Sequence, residues 1–165
     1  MGKMKMGRMI IDRTSSMGLW RYANEFYESA RLIRNIKGKL FVPSYYLICH
    51  SIELALKAFL RGCGKELDFL KNVLGHDLKK CLDEARNNNL SEYVKISSKF
   101  ETSIEVVNPY YMSKQFEYIT SGIKTLPDID DIDILIEGTS QIIKDIKKFC
   151  VEKRKLHYKT DSADK

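Results

Sequence analysis

The stretch Cys49–Leu60, CHSIELALKAFL, decides how the chain is read. It is apolar nearly all round; only His50, Ser51, Glu53 and Lys57 interrupt it, and Arg61 follows at once. Extended on both sides it becomes FVPSYYLICHSIELALKAFLRGCG, with Pro43 in a first helical turn and Gly62 or Gly64 as the stop. A helix this apolar belongs at the centre of a bundle, covered on most sides by other helices. At 100° per residue, His50, Glu53, Lys57 and Arg61 fall within roughly 80° of arc, so the ionisable groups form a single seam. Glu53 stands four residues before Lys57, the better order for a helical ion pair.

Before this segment, TSSMGLWRYANEFYESARLIRNIKG reads as a first helix, capped by Ser15 or Ser16 and stopped by Gly38. Leu19, Tyr22, Ala23, Phe26, Ala30 and Ile33 recur at three and four, which predicts one buried stripe. After it come a short helical piece, KELDFLKNVLG, and an amphipathic third helix, HDLKKCLDEARNNN. LSEYVKISSKFETSIEVV reads as a fourth helix, with Ser91 as its cap and a break at Asn108-Pro109. YYMSKQFEYITSGIKTLPDIDD is rich in Tyr and Phe and is expected to cross the bundle as an ordered loop. The last helix is expected from Asp131 to Lys155, with Ile132, Leu135, Ile136, Ile142, Ile143, Ile146, Phe149 and Cys150 on its apolar face. The expected fold is all-α, an antiparallel up-and-down bundle of four to five helices. One domain over 15–158 would lie between a flexible lead-in, 1–14, and a flexible tail, 159–165.

Composition agrees with this. A chain of 165 residues, 44% hydrophobic and 30% charged, is the size and class of one globular domain. Three prolines and nine glycines favour long helices over many short strands. No apolar run approaches the roughly 18 residues of a membrane span. MGKMKMGRM has no apolar core of a signal peptide, so a cytoplasmic location without membrane association is expected. Cys49, Cys63, Cys81 and Cys150 lack close pairing and read as reduced structural thiols; no metal or other cofactor is expected. The net charge of +6 is concentrated in MGKMKMGR and KKFCVEKRKLHYK, against an acidic LPDIDDID.

The candidate site is a polar cluster of His50, Glu53, Lys57, His76 and Asp77. His76 and Asp77 open the third helix, where a carboxylate suits the positive helix end. Two readings stay open. In one, the histidines move protons and Lys57 neutralises an anion. In the other, Glu53 and Lys57 brace the bundle while His76 and Asp77 cap a helix, and this one is favoured because no nucleophile and base stand at a recognisable spacing.

PSYYLICHSIELALKAFLRGCG, followed by GHDLKKCLDEA, resembles the HEPN domain superfamily of prokaryotes. The resemblance covers about Leu19 to Glu84, and the later helices only by general pattern. It implies an antiparallel helical bundle that commonly dimerises. It also implies a setting among toxin–antitoxin, phage-defence, RNA-processing or nucleotidyltransferase-linked systems. A nucleotidyltransferase or antitoxin partner follows from it, as does RNA or a nucleotide as ligand. Many members are metal-independent ribonucleases with an arginine, four to six intervening residues, and a histidine. Here the places five to seven before His50 hold Tyr45, Ser44 and Pro43; before His76, Lys71, Leu70 and Phe69; before His157, Glu152, Val151 and Cys150. None is arginine, and Arg154 stands only three residues from His157, so the family's catalytic pair does not carry over.

Three functions therefore stand at this point. The first, and preferred, is a non-catalytic HEPN-like binding module acting as a homodimer. The second is a divergent ribonuclease or nucleotide-binding enzyme that uses His50, Glu53, Lys57 and His76. The third is an RNA-binding protein that uses its basic termini, with Tyr110, Tyr111, Phe116 and Tyr118 as stacking faces.

Overall fold

Ser15 opens the first helix by accepting a hydrogen bond from the Gly18 amide at 3.0 Å, which satisfies one of the free donors at a helix start. In the computed structural model, which describes residues 14–37, 41–118 and 132–163, this helix is α1, Ser16–Lys37. Ser16 does not cap. Its hydroxyl donates to the Ala58 carbonyl of α2, Val42–Gly62, at 2.7 Å. Ser51 of α2 returns the bond to Ala23 at 2.7 Å, so the two helices run in opposite directions. Ala23 and Ala30 are fully buried, and their small side chains let the backbones approach this closely.

Tyr22, expected in the buried stripe, is 48% exposed. The buried face also takes in Trp20, which lies about 160° round the helix from Tyr22. Trp20 donates its indole proton to the Ile143 carbonyl at 2.8 Å, and that bond fixes which way α1 is rolled. The expected stop at Gly38 lies outside the described residues.

α2 is the central helix, with its first turn at Pro43 and its last residue at Gly62, and it is buried nearly all round. Cys63 closes it and Gly64, at φ +93°, turns the chain away. A π-helical turn at Phe69–Val73 leads to Gly75 at φ +55°, and α3, Leu78–Asn87, follows. α3 buries Leu78, Cys81, Leu82 and Ala85.

The fourth helix differs from its sequence reading at both ends. Leu90–Glu92 forms only a 3₁₀ turn, and α4 spans Ser98–Met112, capped by Ser97 rather than Ser91. At its far end α4 runs through Pro109. A proline this near a helix end removes one hydrogen bond, to the carbonyl of exposed Glu105. Burial of Phe100, Ile104, Val107 and Tyr111 along one stripe outweighs that loss. The expected loop is therefore helical at Tyr110–Met112 and turns at 113–117; its stretch 119–131 lies outside the described residues.

α5, Ile132–Ala163, continues past Lys155 into the stretch read as a flexible tail. Arg34 holds its start through two bonds to Asp133, at 2.8 and 2.9 Å. With Trp20 on Ile143 as well, α5 runs opposite to α1. Gly138 allows the Phe100 ring to lie directly on α5, and Gly62 does the same for Phe149 on α2. The described residues are thus five α-helices and two short helical turns, without a strand. None of their helices is long and apolar enough to cross a membrane. Of the expected lead-in, 1–14, residues 1–13 lie outside the described residues.

Candidate functional site

Glu53 is a carboxylate placed by α2 inside the bundle, 3% exposed, and a buried charge must find partners. Lys57, one turn on, donates from Nζ to Glu53 Oε1 at 2.7 Å and to the Gly75 carbonyl at 2.5 Å. That carbonyl is available because the chain turns at Gly75. The same turn places His76, whose Nδ1 stands 2.9 Å from Glu53 Oε2. From α4, Tyr111 donates its phenolic proton to the same oxygen at 2.6 Å. His50 Nδ1 lies 2.8 Å from the Tyr111 hydroxyl and 3.8 Å from Glu53 Oε2. Its ring stacks on Tyr46 and meets the edge of Phe26.

The proton positions follow from this network. Burial pushes the Glu53 carboxyl up, but the His50 imidazole, the Lys57 ammonium and the Tyr111 hydroxyl outweigh it and hold it well below the carboxylate range. Glu53 is therefore ionised and accepts only. Tyr111 must donate to it, and burial beside that charge keeps the phenol far above its ordinary value. The Tyr111 oxygen then accepts from His50 Nδ1–H, and His76 Nδ1–H donates to Glu53. Both imidazoles carry a proton on Nδ1. Burial likewise raises the neighbouring thiols, Cys49 strongly and Cys81 to about 12, so neither offers a thiolate.

Four of the five sequence-predicted residues, His50, Glu53, Lys57 and His76, thus converge. Asp77 does not join them. It caps α3 by accepting from the Lys80 amide at 3.0 Å, and Asn108 Nδ2 donates to the same oxygen at 3.0 Å. Asn108 Oδ1 accepts from the Leu78 amide at 2.8 Å, so one side chain ties α4 to the start of α3. Arg61, on the same seam of α2, turns away and donates to the Lys65 carbonyl at 2.9 Å. The sequence reading offers Tyr111 as a stacking face rather than a member of this node and does not single out Asn108, because it breaks the helix at Asn108-Pro109. The stripe Phe100, Ile104, Val107, Tyr111, at four, three and four, was the signal that the helix continues.

Chemically, the node is nearly closed. Both Glu53 oxygens are occupied and the Lys57 ammonium is committed to two acceptors. What remains open is the His76 ring, 52% exposed, and part of His50, 22% exposed. Comparison with protein-family models, with curated proteins and with solved structures gave no match.

Proposed function

We propose that the protein is a non-catalytic, HEPN-like helical binding module whose Glu53 node braces the bundle. The observation that carries this reading is the enclosure of Glu53: it is buried, and Lys57, His76 and Tyr111 leave neither of its oxygens without a partner. The absent arginine of the Arg-x(4–6)-His pattern supports it from the sequence side. The opposed pair α1 and α2 accords with the antiparallel up-and-down arrangement that the resemblance implies. The ligand we favour is a protein, of the kind found in toxin–antitoxin, phage-defence or nucleotidyltransferase-linked systems. Tyr22, Leu32 and Ile36 present exposed apolar surface on α1, whereas two of the aromatics available for stacking on bases, Tyr111 and Phe116, are spent inside the bundle.

The test is incubation of the purified protein with labelled RNA, beside His76→Ala and His50→Ala. The module reading expects no cleavage above background in any of the three.

One observation favours a second reading. The His76 imidazole is half exposed while a buried carboxylate holds its Nδ1–H, an arrangement that orients a proton-transferring histidine. RNA cleavage that is lost in His76→Ala would replace the module reading with this one.

A further inference from the structure

Ser97 caps α4, and the chain leading into it, residues 95–97, faces one turn of α5 across a cleft of about 200 Å³. Glu137, Gly138 and Gln141 form the α5 wall, and Glu137 and Gln141, four apart, share one face of that helix. Phe100, 1% exposed, and Ile96, packed against the core, make the apolar floor. Gly138 has no side chain, and the Phe100 ring lies where one would stand, so the floor reaches the α5 backbone.

The polar groups on the two walls are of opposite kind. On the α4 side stand donors. One is the Lys95 ammonium; the other is the Ser97 hydroxyl, whose oxygen accepts from the Phe100 amide at 3.2 Å and whose proton is left over. On the α5 side stand acceptors. One is the Glu137 carboxylate; the other is the Gln141 amide, whose Nε2 donates to Asp145 at 2.6 Å and whose Oε1 is left over. Lys95 and Glu137 carry opposite charges on one small cleft. Yet neither side chain makes an ion pair with the other or with any other of the described residues.

We infer that this cleft binds a free α-amino acid with an apolar side chain, its carboxylate on Lys95 and Ser97, its ammonium on Glu137 and Gln141, and its side chain on Phe100 and Ile96. A ligand with a single charge would leave the charge of the opposite wall unmatched, whereas a zwitterion meets both. Sites for drug-sized ligands begin at about 300 Å³, so this smaller cleft suits an amino acid and excludes a nucleotide. The inference goes beyond the binding-module reading and shares no residue with the Glu53 node. RNA cleavage by the protein leaves the cleft intact, and a cleft that binds nothing leaves the node intact.

The experiment is titration of isotope-labelled full-length protein with L-leucine to about 10 mM, followed by its amide NMR signals. Saturable shifts are expected at Ser97 and Gly138, and none at Glu53 or His76. Isocaproate, which is leucine without the amino group, and isoamylamine, which is leucine without the carboxylate, should each bind at least about tenfold more weakly, since each lacks one set of charge-assisted bonds. Lys95→Met and Glu137→Gln should each weaken L-leucine at least about tenfold. Far-UV circular dichroism and Tm should stay unchanged in both, because both positions are exposed. The inference is overturned by an absence of saturable shifts or by shifts centred away from Ser97 and Gly138. It is equally overturned by either analogue binding as tightly as leucine, or by either variant keeping wild-type affinity.

Discussion

Tyr111 on α4 donates to Glu53 on α2 across 2.6 Å, and it also accepts from His50 at 2.8 Å. A single hydroxyl thus joins the last turn of one helix to the middle of another, and it does so only because α4 continues through Pro109. Replacing Tyr111 by Phe keeps the ring and deletes this junction. Glu53 loses one of its donors and the His50 Nδ1–H loses its acceptor. The expected cost is about 2–3 kcal/mol, since a hydrogen bond to a charge and a second polar group are both affected. Urea unfolding of Tyr111→Phe beside wild type measures it; a change below half a kcal/mol would mean the hydroxyl is satisfied by water.

The ionisation of Glu53 predicts a pH signature. A carboxylate held below its ordinary value of 4.5 in the folded chain stabilises the fold at pH values above 4.5. That contribution is lost as pH falls through and below 4.5, because the unfolded chain takes up the proton first. Wild type should therefore lose its advantage over Glu53→Gln as pH falls below about 4.5, and the two stability curves should converge as acid is added. Denaturation midpoints at a series of pH values check this. A gap that widens below pH 4.5 would show that Glu53 is protonated in the folded protein.

The corner between the π-helical turn and α3 rests on two side chains of unequal weight. Asp77→Ala removes a helix cap, worth about 1 kcal/mol. Asn108→Ala strands the Leu78 amide inside the protein and also releases Asp77, and it should cost about 2–3 kcal/mol. Thermal unfolding of both variants is expected to place Asn108→Ala lower in Tm.

Gly138 gives a test of sign. Helix propensity alone makes Gly→Ala stabilising by about 1 kcal/mol inside a helix. Here an added methyl would run into the Phe100 ring, which is 1% exposed and would have to shift as a whole. Overpacking of this kind costs about 1–3 kcal/mol, so Gly138→Ala is expected to lower Tm rather than raise it.

Much of this was legible from residue spacing. The apolar run around CHSIELALKAFL implied a central helix, and the seam through His50, Glu53 and Lys57 implied one polar line, because both follow from 100° per residue. His76 was brought to that line by a short returning segment, which GHDL suggested. Arg61 starts on the same seam, as its spacing implies, but was not among the candidate site residues; its guanidinium reaches the Lys65 carbonyl, because a seam fixes where a side chain starts and not where a long one ends. Tyr111 and Asn108 were hidden by Asn-Pro, a local stop signal that the buried stripe overrides. Tyr22 was placed inward by periodicity alone, whereas the need of the Trp20 indole for an acceptor rolls α1 the other way.

The most direct measurement is a double-mutant cycle on Glu53→Gln, Lys57→Met and the pair, followed by chemical unfolding at pH 7. If the node is a closed brace, each single change leaves a buried group without its partner and costs about 3–5 kcal/mol, or roughly 10 °C in Tm. The double variant should then be no less stable than the worse of the two singles. Costs that simply add, to within about 0.5 kcal/mol, would show two independent, solvated side chains and contradict the account.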